Sequence, residues 1–132
     1  MSVEFIQKLP TPAEIKMQFP LPARLAEIKA EKDKEISRIF TGESDKFLVI
    51  IGPCSADNED AVLDYTTRLA KVQEKVADRL LLIPRVYTNK PRTTGLGYKG
   101  MLHQPDPEKQ PSVSEGLHAI RHMHMRVLAE TG

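Results

Sequence analysis

Phe47-Leu48-Val49-Ile50-Ile51-Gly52-Pro53-Cys54-Ser55 is the stretch that decides the fold class. Its first five residues are apolar without alternation, which fits a buried parallel strand rather than an antiparallel strand with one face in water. Gly52-Pro53 ends it. Asp57 or Asn58 can then cap a helix in which Val62, Tyr65, Leu69, Val72 and Val76 recur at spacings of 3, 4, 3 and 4. A second strand is expected over Leu80 to Tyr87, followed by a long segment rich in Gly, Pro and Lys. The last helix opens with Ser112-Val113-Ser114-Glu115, a capping-box spacing, and turns Val113, Leu117, Ile120, Val127 and Leu128 inward. The order strand, helix, strand, long loop, helix is the start of a parallel α/β fold, in which ligands collect at the carboxyl ends of strands. Two strands alone neither close a barrel nor cover a parallel sheet on both faces.

Upstream, Val3 to Leu9 reads as a short extended arm ended by a Pro10-Thr11-Pro12 turn. Pro22 to Phe40 reads as a helix with Leu25, Ile28, Ile36, Ile39 and Phe40 near one face, Lys32 interrupting the stripe, and Gly42 as its stop. The dense but mixed charges from Lys29 to Arg38 suit a solvated face laced with local ion pairs. At 132 residues and 40% apolar content, the chain has material for one modest core and one domain. Nineteen Lys and Arg against eighteen Asp and Glu leave +1, which gives no general attraction to nucleic acid or an anionic membrane. The runs Phe47–Ile51 and Leu80–Ile83 are far too short to span a bilayer. Glu4, Gln7 and Lys8 interrupt any apolar signal segment. A single cysteine makes no internal disulfide, so a reducing cytoplasm is the expected compartment. The ten prolines are clustered and punctuate an ordered chain.

Two strand exits carry the residues with chemistry. Cys54 follows the first, where a thiolate would serve as nucleophile or metal ligand; a small buried residue is the equally open alternative. The second exit is more informative. From Leu80 to Gln104 there are four cations, Arg85, Lys90, Arg92 and Lys99, and no acidic residue. In a chain of net +1 this is a local anion site. Arg85 is expected on the strand itself. Lys90-Pro91-Arg92-Thr93-Thr94-Gly95 adds an ammonium, a guanidinium fork and two hydroxyls, the groups that bind phosphates and carboxylates. Gly95, Gly97 and Gly100 permit close approach. His118 and His122 have the i, i+4 spacing of a helical metal pair but no third ligand nearby, so they read as a surface pair. Met101, Met123 and Met125 read as packing residues.

Gly52-Pro53-Cys54-Ser55, then Arg85-Val86-Tyr87 and Lys90-Pro91-Arg92-Thr93-Thr94-Gly95 after one helix, resembles the class I 3-deoxy-D-arabino-heptulosonate-7-phosphate (DAHP) synthases. Gly97-Tyr98-Lys99-Gly100, Pro105-Asp106 and the lead-in Leu9-Pro10 to Phe19-Pro20-Leu21 also look like that family, so the resemblance covers essentially the whole chain. It implies a TIM (β/α)8 barrel of which this chain holds residues 1–45 as an amino-terminal extension and 46–132 as the first two βα units. A barrel of this kind needs about 250 residues, so a truncated architecture is expected.

The implied reaction is the metal-dependent, aldol-type condensation of phosphoenolpyruvate with erythrose 4-phosphate, the first step of the shikimate pathway to the aromatic amino acids. The resemblance makes Cys54 a ligand of a divalent metal of the Mn, Fe, Co or Zn type. It makes Arg85 with Lys90 the binders of the phosphoenolpyruvate carboxylate, and Arg92 with Thr93 the binders of the erythrose 4-phosphate phosphate. Lys90 is also catalytic, hydrogen-bonding or protonating the aldehyde oxygen as it becomes an alkoxide. The family's remaining metal ligands belong to later strands, so the chain alone is expected to be inactive. Feedback inhibition by an aromatic amino acid and homo-oligomerisation of the complete enzyme are implied as well, with neither nucleic acid nor membrane as partner. Tyr98 stands where many members carry Trp, and Ala56-Asp57-Asn58 replaces Ile-His-Asp. The competing readings are a non-catalytic regulatory remnant, a sensor of a phosphorylated ligand, and a fragment completed by a second polypeptide.

Overall fold

The computed structural model describes residues 7–90, 92 and 95–132. Six elements follow one another: α1 (Pro12–Gln18), α2 (Ala23–Phe40), β1 (Phe47–Ile51), α3 (Glu59–Val76), β2 (Leu80–Pro84) and α4 (Val113–Thr131). β1 and β2 form a two-stranded parallel sheet in the register Phe47↔Leu80 through Ile51↔Pro84, with α3 as the crossover. The expected order of strand, helix, strand, long loop and helix is therefore present.

Helix α1 was not expected. The Pro10-Thr11-Pro12 segment opens a helix instead of making a turn: Thr11 Oγ1 accepts the Glu14 amide, the Glu14 carboxylate accepts the Thr11 amide, and Pro12 occupies the first turn. This reciprocal capping box with proline at the helix start is a strong initiation signal. The extended arm over Val3 to Leu9 lies largely outside the described residues. α2 matches its expected span, and its charges pair locally as Lys29–Asp33 and Lys34–Glu31. Its Phe40, expected on the apolar face, is 78% exposed.

Asn58 caps α3, its Oδ1 accepting the Ala61 amide. The buried side of α3 is Val62, Leu63 and Thr66, whereas Val72 of the expected stripe is exposed. Thr66 is tolerated there because its hydroxyl donates to the Val62 and Leu63 carbonyls. On α4, Ser112 Oγ accepts the Glu115 amide, and Gly116, Met123 and Val127 are buried.

The main core cluster lies between helices and strand-exit loops, and Leu81 of β2 is buried outside it. Ala56, Val62, Leu63, Met101, Met123 and Val127 form one cluster, with Val86, Ala119 and Ile120 against it. Met123, fully buried, contributes roughly 1.5–3 kcal/mol of apolar burial. β1 is parallel as expected but not buried: Phe47, Ile50 and Ile51 are exposed, because a two-stranded sheet has too little around it to cover both faces.

α4 is tied across α3 by charge. Arg126 donates to Glu59, Asp60 and Glu130, and His122 Nδ1 lies 3.0 Å from the second Glu59 oxygen. Burial pushes the Glu59 carboxyl up, but Arg126 and His122 more than offset this and hold it below the ordinary carboxylate value. The i, i+4 histidines thus face different partners, since His118 Nε2 meets Gln18 Oε1 at 2.7 Å. No helix of the described residues is long and apolar enough to cross a membrane.

Candidate active site

β2 ends at Pro84, three residues earlier than expected, because β1 ends opposite it at Ile51. Arg85 therefore sits just past the strand and is exposed, not on it. The missing Pro84 amide costs nothing at this terminal position, and the next amide, of Arg85, donates to the Ile51 carbonyl at 2.8 Å.

The two strand exits close on one another. The Ala56 amide donates to the Tyr87 carbonyl at 2.9 Å. Gly52 lies so near the second exit that an added Cβ would fall 2.0 Å from the Arg85 carbonyl oxygen. Only glycine allows this contact, and it brings Cys54 beside the cationic loop. There Lys90 Nζ donates to Cys54 Sγ at 2.9 Å, and one Arg85 Nη donates to the Pro53 carbonyl at 2.6 Å. The Arg85 guanidinium also lies 5.1 Å from the Tyr87 ring centroid, a cation–π distance.

Cys54 is exposed, which decides against the small buried residue. The Lys90 hydrogen bond and charge hold its thiol below the ordinary value, against a slight opposing effect of burial, and the charges of Arg85 and Arg92 add to the same direction. Three cations thus converge on one sulfur and favour its thiolate, the reactive and metal-binding form. Arg92 is set by its Nε donating to the Tyr98 carbonyl at 2.9 Å. Lys99, the fourth cation, contributes its carbonyl, which accepts the Lys90 amide at 2.8 Å. Thr93, with Pro91 and Thr94, lies outside the described residues.

The loop rests on the core. Leu102 N–H donates to the Thr88 carbonyl, Met101 is 3% exposed, and the His103 ring meets Asn89 Oδ1 at 3.1 Å. Tyr98 donates to the Gln104 carbonyl, and burial, with a smaller effect of Asp57, raises its phenol above the ordinary value. Ser55 lies beside Cys54 at the same strand exit but is not among the expected site residues. Its Oγ is buried and finds no partner among the described residues. The strand-exit position was the available signal.

A metal demands more than the described residues bring together. Cys54 offers one thiolate, and no group of three or more His, Cys, Asp or Glu among the described residues could hold an ion. A divalent ion of this type takes several such donors. The described residues by themselves do not fit a complete metal centre.

Residues 22–131 match the DAHP synthetase I family. The chain belongs to this family. Among family relatives, the phenylalanine-inhibited phospho-2-dehydro-3-deoxyheptonate aldolase of Saccharomyces cerevisiae is 35% identical over 120 residues, covering 91% of this chain and 32% of the relative. The Trp-sensitive enzyme of Escherichia coli is 35% identical over 122 residues, covering 92% and 35%. The phospho-2-dehydro-3-deoxyheptonate aldolase of Amycolatopsis methanolica is 36% identical over 124 residues, covering 94% and 61%. The structure of the Francisella tularensis aldolase superposes with a TM-score of 0.86 at 29% identity, over 96% of this chain and 37% of that one. This family member thus spans about a third of the length of the yeast and E. coli relatives.

Proposed function

We propose that the chain supplies the opening part of a DAHP synthase: two βα units of a (β/α)8 barrel whose strand exits bind phosphoenolpyruvate and erythrose 4-phosphate for condensation. The observation that carries this reading is the convergence of Arg85, Lys90 and Arg92 around Cys54 where two parallel strands end. In a barrel that edge is where reacting groups are presented.

Two polyanions must be held together, and fixed cations do so by offsetting their repulsion and setting their orientation. Arg85, already anchored to the Pro53 carbonyl and stacked on Tyr87, is the rigid partner for the phosphoenolpyruvate carboxylate, with Lys90 beside it. Arg92 and Thr93 hold the phosphate of erythrose 4-phosphate. Carbon 3 of phosphoenolpyruvate attacks the aldehyde carbon, and the Lys90 ammonium donates to the aldehyde oxygen as it becomes an alkoxide. Water then adds at carbon 2 and phosphate leaves with its C–O bond broken. In the whole enzyme Cys54 would be one thiolate donor to a divalent ion whose other ligands lie outside these residues. The same relation supports feedback inhibition by an aromatic amino acid, since relatives are named Trp-sensitive, Phe-sensitive and phenylalanine-inhibited.

The test is a chimaera in which this chain replaces the matched third of the E. coli Trp-sensitive relative. It should form DAHP from the two substrates, whereas the 132-residue chain alone should form none. A chimaera that folds and binds both substrates without forming DAHP would favour the reading as a non-catalytic anion binder.

A further inference from the structure

The base and the tip of the cationic loop are held by different means. At the base, Leu102 N–H donates to the Thr88 carbonyl at 3.0 Å and the Lys90 amide to the Lys99 carbonyl at 2.8 Å. Toward the tip, Gly95 and Gly97 take left-handed φ angles of 70° and 85° with open space where a Cβ would lie. Leu96 between them is 77% exposed. Packing therefore does not fix the path from Gly95 to Gly97.

Tyr98 ends that open stretch and is fastened through both its side chain and its backbone. Its hydroxyl donates to the Gln104 carbonyl at 3.1 Å, and its own carbonyl accepts Arg92 Nε at 2.9 Å. The acceptor at Gln104 is itself fixed. The Gln104 amide donates to the Gly100 carbonyl, and its side-chain Nε2 donates to the carbonyls of Pro107 and Lys109. The His103 carbonyl just before it accepts the amide of Ser112, the N-cap of α4. A run of hydrogen bonds thus leads from the start of α4 through Gln104 and the Tyr98 phenol to the Arg92 guanidinium.

We infer that Tyr98 is a positioning residue for the phosphate of erythrose 4-phosphate, acting through Arg92. The inference rests on the proposed assignment of Arg92 to that phosphate. A guanidinium bound through Nε has its plane set and offers its two Nη groups as a fork for two phosphate oxygens. Without the phenol, the Tyr98 carbonyl moves with the unsupported stretch 95–97, and the fork loses its direction while keeping its charge. Lys90 stands apart from this path, with its Nζ on Cys54 and its amide on Lys99, beside the Gly100 that packs against Thr88. Arg85 is held by the Pro53 carbonyl and the Tyr87 ring. Tyr98 therefore governs one substrate and leaves the other, and the reacting centre, alone.

Tyr98→Phe removes the hydroxyl and keeps the ring. In the chimaera it should raise the KM for erythrose 4-phosphate about three- to tenfold, the worth of one hydrogen bond. The KM for phosphoenolpyruvate and kcat should stay unchanged, which a general loosening of the loop would not allow. In an Arg92→Ala background Tyr98→Phe should change that KM no further, because the group it orients is gone. Gln104→Glu, whose carboxylate donates to neither Pro107 nor Lys109, should shift the same KM in the same direction by a smaller factor. In the 132-residue chain, the Arg92 Nε–H resonance should exchange with water about three- to tenfold faster in Tyr98→Phe, while the Lys90 amide keeps its rate. An unmoved Nε–H rate, or an unmoved KM for erythrose 4-phosphate where Arg92→Ala still raises it, overturns the role of Tyr98 and leaves the phosphate assignment standing. Arg92→Ala without effect on that KM overturns the assignment and the inference with it. Equal rises for both substrates, or a fall in kcat, make Tyr98 a general support of the loop and overturn the inference too. If the chimaera binds without turnover, dissociation constants of the two substrates by calorimetry take the place of the KM values in the same comparison.

Discussion

Gly116→Ala sets two known effects against each other, and the structure says which wins. Glycine is a poor helix residue, so alanine within α4 should add up to about 1 kcal/mol of stability. Yet a Cβ at Gly116 would fall 1.9 Å from the Leu102 carbonyl oxygen, 2.5 Å from its carbon and 2.8 Å from the Met101 carbonyl oxygen. These are backbone atoms that no rotamer change can remove. Reaching even 3.0 Å requires the amino end of α4 to retreat by at least 3.0 − 1.9 = 1.1 Å. The retreat strains the 2.8 Å bond from the Ser112 amide to the His103 carbonyl and loosens the core cluster that holds Met101 and Met123. Overpacking costs about 1–3 kcal/mol and a lost hydrogen bond about 1 kcal/mol. After the helix gain is subtracted, the net is a loss of about 2 kcal/mol, or roughly 5–10 °C in melting temperature for a chain of this size. Urea titration followed by far-UV circular dichroism should show a lower midpoint at unchanged slope. A variant as stable as the parent, or more so, would refute the close approach of α4 to the 101–103 turn.

Lys90→Met should move the pH midpoint of Cys54 alkylation by iodoacetamide upward, toward the ordinary thiol range, and slow the reaction at neutral pH; an unmoved midpoint would show that the ammonium does not govern the thiol. In the chimaera, Arg92→Ala should raise the KM for erythrose 4-phosphate by about ten- to 150-fold with little change for phosphoenolpyruvate. Arg85→Ala should show the opposite preference and Lys90→Ala should lower kcat as well; steady-state kinetics with each substrate varied in turn would expose a reversed assignment. Glu59 is held below its ordinary value, so its stabilising contribution is present above the unfolded carboxylate value and is lost as pH falls through the folded one. Arg126→Ala should therefore lower the urea midpoint at pH 7 and shrink its drop between pH 7 and pH 4.

The periodic and punctuated parts of the chain were legible: α2, β1, α3, β2 and α4 all lie where apolar spacing, Asn58 and Ser112 place them. α1 is written in Thr11-Pro12-Ala13-Glu14, yet the same prolines fit a turn, because a proline at the first helical position starts a helix as readily as one further along ends it. The overlong β2 came from reading apolar character alone. A strand ends where its partner ends, and Ile51 is a fact about β1 rather than about β2. The cationic loop was legible from charge contrast in one segment. Its convergence on Cys54 was not, since that contact spans 36 residues and depends on the absence of a side chain at Gly52. Gln73 of α3, whose side chain reaches the Leu80 carbonyl, gave no signal, because an amide on a helix declares nothing about the strand it will face.

A loop rich in glycine and proline between two elements commonly behaves as a lid that closes on its ligand. Here the segment after Lys99 is fastened to the most buried part of the chain, through Met101 in the core, Leu102 on Thr88 and the His103 carbonyl on Ser112. The base of the cationic loop is thus preorganised by the same packing that stabilises α3 against α4. Much of the entropy of ordering that base is spent on folding and need not be spent again when an anion arrives. On the proposed function the consequence is coupling in both directions: a substitution that softens the packing of Met101 in the core should weaken anion binding without touching a charge, and a tightly bound anion should raise the melting temperature of helices it never meets.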